Sequence, residues 1–116
     1  MTIPKKDLNA IKRGLYLLGL HAHHSAIEKG FWRGGRNDGE LVALIHSELS
    51  ECLESLRHSN PPDQHCPQHG NAVIELADAI IRICDMAQAR NWDIGQACVD
   101  KMCFNLTRPP KHGKVF

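Results

Sequence analysis

The sequence predicts an all-α fold carried by one domain, residues 1–116, and three observations predict it. Apolar residues recur at helical spacing in four segments, and no stretch shows the alternation of a strand. Glycine- and proline-rich stretches separate those segments. At 116 residues the chain cannot cover all of its apolar surface alone, so pairing with further copies of itself is expected.

The first helix is expected from about Asp7 to Glu28, with Gly14 and Gly19 as points where it can kink. Lys29 to Gly39 contains Gly30, Gly34, Gly35 and Gly39 and reads as a loop. A second helix follows from about Glu40 to His58. Ser59 to Gly70 contains Pro61, Pro62 and Pro67, which cannot continue a helix, and forms a surface loop. The third helix spans about Asn71 to Arg90. Asp93 is suited to cap a fourth, because its carboxylate accepts orphan amides of a first turn. That helix ends near Leu106, Pro109-Pro110 stops it, and residues 109–116 form a basic tail without periodicity.

Lys and Arg number 14 against 13 for Asp and Glu, so the chain has no bulk field to hold polymeric nucleic acid along its phosphates. The five cysteines are an odd number and no signal-like stretch precedes them, which suits a reducing cytoplasm. Four of them lie in helical patterns, where a thiol packs as a small core residue, and no catalytic role is expected of them. The apolar run Leu15 to Leu20 falls far short of the roughly 20 residues that span a bilayer, so no membrane partner is expected.

On a helical wheel Leu41, Val42, Ile45, Leu49, Cys52, Leu53 and Leu56 share one broad face of the second helix, the expected core stripe. Glu48 sits at its edge, Glu51 lies beside it one turn on, and Glu54 points further toward solvent. The third helix is apolar nearly all round and is therefore expected to be buried. Its Glu75, Asp78, Arg82 and Asp85 fall in one wedge of about 80°. A buried ionised carboxylate is costly unless it is protonated, paired or bound to a cation. Arg82 satisfies part of the stripe through Asp78 or Asp85. If Glu48 and Glu51 face it, the site is strongly anionic and suits Mg²⁺, with Mn²⁺ as a substitute. The other reading of the same residues is a solvated face of Glu48, Glu51 and Glu54, with intrahelical salt bridges from Arg82.

Glu48-x-x-Glu51 followed by Glu75-x-x-Asp78 resembles the paired acidic motifs of the MazG-like all-α nucleoside-triphosphate pyrophosphohydrolases. The resemblance extends to His23–Trp32 (HHSAIEKGFW), Asn37–Leu41 (NDGEL), Ile45–Glu54 (IHSELSECLE), Glu75–Asp85 (ELADAIIRICD) and Lys101–Lys114 (KMCFNLTRPPKHGK). It implies a four-to-five-helix bundle whose active sites are completed in homodimers or homotetramers. It also implies hydrolysis of a nucleoside or deoxynucleoside triphosphate between the α and β phosphates, giving a monophosphate and pyrophosphate. On this resemblance Glu48, Glu51, Glu75 and Asp78 are the metal ligands. Some relatives carry a further Glu directly before the first motif, where this chain has Ser47, so the general base is unassigned. Glu51, farther from the core stripe than Glu48, is the candidate for orienting or deprotonating the water.

Lys101, Asn105 and Arg108 recur at i, i+4 and i+7. The helix dipole alone accounts for a cation such as Arg108 near a C-terminus. With the resemblance, Lys101 and Arg108 grip the triphosphate and Asn105 hydrogen-bonds phosphate or sugar. Lys111, His112 and Lys114 belong to a tail that either closes over the phosphates or stays exposed. His23 and Trp32 resemble positions lining the nucleobase pocket in relatives, although Phe31 and Trp32 also suit packing of the loop against the bundle. His65, Cys66 and His69 offer at most three zinc ligands without paired spacing and read as part of a polar loop. Two rival functions share these motifs: a non-catalytic helical module binding a nucleotide or a protein, and a phosphoribosyl-ATP pyrophosphatase-like enzyme.

Overall fold

A computed structural model describes residues 1–116 as four α-helices with no strand: α1 (Lys5–Glu28), α2 (Asp38–Arg57), α3 (Asn71–Ala89) and α4 (Ile94–Asn105). A short 3₁₀ turn, Pro110–Gly113, follows α4. No helix is long and apolar enough to cross a membrane.

α1 runs as one helix of 24 residues, so neither Gly14 nor Gly19 interrupts it. Gly19 serves packing instead. It is buried, and a Cβ there would lie 3.1 Å from the Cys84 carbonyl oxygen of α3. Gly95 does the same for α4, where a Cβ would stand 3.0 Å from the Lys12 backbone. Absent side chains at these two positions let α3 and α4 approach α1 closely.

α2 starts two residues before the apolar spacing predicts, because Asn37 caps it: Asn37 Oδ1 accepts the Glu40 N–H at 2.8 Å. Such a cap contributes about 1 kcal/mol. Asp93 caps α4 as expected, accepting the Gln96 N–H at 3.0 Å. α3 takes its cap from the preceding loop, where Asn60 Oδ1 accepts the Ala72 N–H at 2.8 Å. Residues 59–70 are therefore an organised turn as well as a connector. Pro62 and Gly70 form an isolated antiparallel bridge, and Asp63 N–H donates to the His69 carbonyl at 2.9 Å. Left-handed backbone at Ser59 and Asn60 turns the chain away from α2.

α3 packs against both α1 and α2, and α4 packs against α1. The spatial order is α2, α3, α1, α4. The radius of gyration is 16.5 Å, against about 13 Å expected for a compact domain of this length. The chain is thus open, and its apolar residues are distributed accordingly.

The face of α2 expected to form the core is divided. Leu41 and Cys52 are buried, while Val42, Leu49, Leu53 and Leu56 are exposed, Leu53 at 52 %. The other buried residues of α2 are Glu48 and Ser55. α3 likewise is not enclosed within one chain, since Val73, Leu76, Ile80 and Ile83 remain exposed. The reason is geometric. A helix apolar all round needs more neighbours than α1 and α2 supply, and the α2–α3 seam is occupied by small and polar side chains.

Candidate functional site

The seam brings three of the four expected carboxylates together. One oxygen each of Glu48, Glu51 and Glu75 lies within 4.8 Å of the others, the only cluster of three or more potential metal-ligating side chains in the chain. Glu48 and Glu51 project from consecutive turns of α2, and Glu75 faces them from the first half of α3. Asp78 stands one turn further along α3 and does not join that set. His65, Cys66 and His69 do not converge either.

The electrostatics follow from crowding like charges in a partly dry seam. Burial, then hydrogen bonds with Glu48 and Glu51, push the Glu75 carboxyl up to about 7. Burial first, and then the charge of Glu48, also raise the Asp78 carboxyl, with Arg82 opposing. Glu75 Oε2 is buried and no N–H or O–H of a neighbouring group donates to it; its contacts to Glu48 and Glu51 are between carboxyl groups and form hydrogen bonds only when one of them carries a proton. A carboxylate oxygen in that position is costly on its own and is suited to a cation.

Further hydrogen bonds define the seam. Arg82 Nε donates to Glu48 Oε1 at 3.0 Å, across the helix pair. On the wheel Arg82 pairs along its own helix with Asp78 or Asp85; in the fold its ion pair is with Glu48 of α2, while Asp85 is bonded by His23 and Trp32 and Asp78 feels only the charge of Arg82. Behind Glu75, Asn71 Nδ2 donates to Glu75 Oε1 at 3.2 Å and to Asp63 Oδ1 at 2.7 Å, while Ser55 Oγ donates to Asn71 Oδ1. Asp63 Oδ2 accepts the backbone N–H groups of Cys66 and His65 at 2.8 and 2.9 Å. These bonds, led by that from Cys66, hold the Asp63 carboxyl below its ordinary value.

Asp63, Asn71 and Ser55 thus form a supporting layer that the sequence reading missed. Two signals were available for part of it. Pro62-Asp63 favours a turn in which the Asp side chain accepts amides two and three residues on, and Asn71 precedes Glu75 by one helical turn.

A cleft of about 510 Å³ opens between α1, α2 and α3, with Glu48, Asp78 and Arg82 on one side and Asp85 among its other lining residues. Phe31, Lys29 and Arg36 also line it. His23 and Trp32 are not among those lining residues; both bond to Asp85. His23 Nδ1 donates to Asp85 Oδ1 at 2.7 Å, and Trp32 Nε1–H is shared between Oδ1 at 3.1 Å and Oδ2 at 3.3 Å. The two rings meet edge to face at a centroid distance of 5.1 Å. The Arg36 and Arg90 guanidinium groups lie 5.2 and 5.8 Å from the centre of the Trp32 ring.

Lys101, Asn105 and Arg108 lie apart from the cleft, on α4 and just beyond it. Lys101 Nζ and Arg108 Cζ stand 4.9 and 5.7 Å from the ring centre of exposed Phe104. Asn105 Oδ1 is buried and unpartnered. Lys111 and His112 occupy the 3₁₀ turn, whose His112 carbonyl accepts from Arg108 Nη2 at 3.4 Å.

No protein-family model, no curated protein and no solved structure matches the chain.

Proposed function

We propose that the chain is a MazG-like nucleoside-triphosphate pyrophosphohydrolase, converting a nucleoside or deoxynucleoside triphosphate and water to the monophosphate and pyrophosphate. The observation that carries this reading is Glu75 Oε2, buried, unpartnered and set among Glu48 and Glu51. Three hard oxygen donors of this kind fit Mg²⁺ or Mn²⁺ and suit no soft metal. Glu48, Glu51 and Glu75 would hold the ion, with Asp78 one turn away as the fourth carboxylate. Such an ion supplies positive charge for phosphate oxygens and acidifies a water.

The chain's own residues divide the remaining work. Glu51 is exposed where Glu48 is buried, so it orients the attacking water and takes its proton. Oxygen adds at the α phosphorus and the bond to the bridging α–β oxygen breaks, releasing pyrophosphate. The cleft between α1, α2 and α3, which Glu48 and Asp78 line, would hold the nucleoside next to the ion. Lys101, Asn105 and Arg108 offer a phosphate grip, as cations and an amide suited to anionic oxygens. They are remote from the cleft of their own chain, which supports a grip delivered by another copy in a homodimer or homotetramer. The exposed rows on α2 and α3 provide the apolar surface for such an assembly. A cytoplasmic setting, where triphosphates and magnesium are plentiful, fits this activity.

The Arg82–Glu48 pair favours one rival, a non-catalytic helical module, because it satisfies a buried carboxylate without any metal ion. Incubation with Mg²⁺ and a panel of triphosphates separates the two. Monophosphate and pyrophosphate are expected. Orthophosphate as the product would move the cleavage away from the α–β bond, and no product across the panel would leave the module.

A further inference from the structure

Asp85 is the one acidic side chain in the cleft whose hydrogen bonds are organised away from the carboxylate cluster. It is buried, with a side chain 11 % exposed, yet its surface lines the cleft that also contains Glu48 and Asp78. Two rings fix its orientation. His23 takes Oδ1, and the Trp32 indole N–H is shared, so Oδ2 receives only the longer contact of 3.3 Å. A carboxylate oxygen has room for more than one donor, and an ionised carboxylate only accepts. Asp85 therefore presents a fixed acceptor to whatever enters the cleft.

Neither Trp32 nor His23 is among the residues lining the cavity; both bond to Asp85 instead. The aromatic ring that lines it is Phe31, 59 % exposed. A flat apolar ring and a fixed anionic acceptor in one cleft suit a planar heterocycle that carries a donor on its edge.

From this we infer that Asp85 is a specificity-determining residue that accepts a hydrogen bond from an exocyclic amino group of the substrate's base, with His23 and Trp32 as positioning residues for it. The inference rests on the triphosphatase reading and deepens it. An amino group donates to a carboxylate, as between Asp or Glu and cytosine N4, whereas a carbonyl oxygen in the same place sets two acceptors against each other. The cleft thus favours the amino member of a matched pair: dCTP over dUTP, or dATP over dITP. Hydrogen bonds to a charged group support a preference of roughly ten- to a hundredfold.

The test compares kcat/KM for both pairs with Mg²⁺ in the wild type, Asp85→Asn and Trp32→Phe. In parallel, binding of CMP against UMP and AMP against IMP is measured by calorimetry, which needs no turnover. The wild type is expected to prefer the amino member of at least one pair by tenfold or more. Asn offers a donor as well as an acceptor, so Asp85→Asn brings that ratio to within about threefold of unity, and Trp32→Phe lowers it part of the way. A purely structural role would lower both members together and leave the ratio intact. Circular dichroism shows which variants stay helical; if Asp85→Asn unfolds, the ratio in Trp32→Phe decides. No amino preference in either wild-type pair, or an unchanged ratio in the folded variants, overturns the inference while leaving the pyrophosphohydrolase standing. Amino-selective monophosphate binding that depends on Asp85, without hydrolysis of any triphosphate, sinks the enzyme and keeps the reader.

Discussion

Arg82 of α3 donates from Nε to Glu48 Oε1 of α2 at 3.0 Å, joining the two helices through the side of the acidic cluster. The pair is part-buried, with side chains 34 % and 10 % exposed, so it is more than a solvated surface contact. Arg82→Gln leaves Glu48 facing two like charges with no cation. The metal-free protein is expected to lose about 1–3 kcal/mol, the usual cost of stranding a partly buried charged acceptor. Chemical denaturation with and without Mg²⁺ checks this: the loss should shrink when the ion is added.

Glu75 makes stability depend on pH in a direction opposite to most carboxylates. Its carboxyl is raised from 4.5 to about 7 in the fold. Between those values the native state binds more protons than the unfolded one, so stability falls as pH rises. The contribution is complete below pH 4.5 and is lost as pH passes 7. Urea midpoints of metal-free protein should therefore decline between pH 5 and 8. Glu75→Gln should flatten that decline and abolish Mg²⁺-dependent hydrolysis. A steep decline retained in the variant would mean that another group carries it.

Asp63 titrates in the opposite sense. Its carboxyl is lowered, chiefly by the Cys66 N–H, so its contribution is present above the ordinary value of 3.8 and disappears as pH falls through the folded value. Asp63→Ala removes the acceptor for two amides and for Asn71 Nδ2. Faster hydrogen exchange at His65 and Cys66 is expected, with weaker metal affinity because Asn71 no longer holds Glu75 in place.

The ligand set itself is tested by Glu48→Gln and Asp78→Asn. Each should lose metal-dependent turnover by a hundredfold or so, as expected when charge neutralisation at a phosphoryl group fails, while circular dichroism stays helical. Full activity in either variant would remove that residue from the ligand set.

The exposed rows of α2 and α3 predict assembly. Leu53→Lys or Ile80→Lys places a charge among Leu49, Leu56, Leu76 and Ile83, all of which are exposed in the single chain. Sedimentation should show the wild type as a dimer or tetramer and the variant as a smaller species. If the phosphate grip comes from another copy, KM for triphosphate rises with dissociation.

Helix number, order and the cap by Asp93 were legible because periodicity and punctuation are local properties. The wedge of Glu75, Asp78, Arg82 and Asp85 was legible on the same ground. Which way each face points was not. The leucine row of α2 reads as core by its wheel, and Glu48 as its edge, yet the seam buries Glu48 and leaves Leu53 outside. That outcome depends on which neighbour α2 meets, and pairing across helices is not written in the period of either. The network of Asp85 with His23 and Trp32 was hidden for the same reason: its members stand 62 and 53 residues apart.

α2 has one extensive helical neighbour, α3, and meets it along carboxylates, amides and a guanidinium. If the cluster of Glu48, Glu51 and Glu75 holds a divalent ion as proposed, that ion would stabilise the fold by RT ln(1 + [L]/Kd), about 2.7 kcal/mol at a hundredfold excess over Kd. Chelation would then loosen the α2–α3 pairing along with the proposed hydrolysis. On the proposed metal-binding reading, free magnesium would set how tightly α2 closes on α3 before any nucleotide arrives.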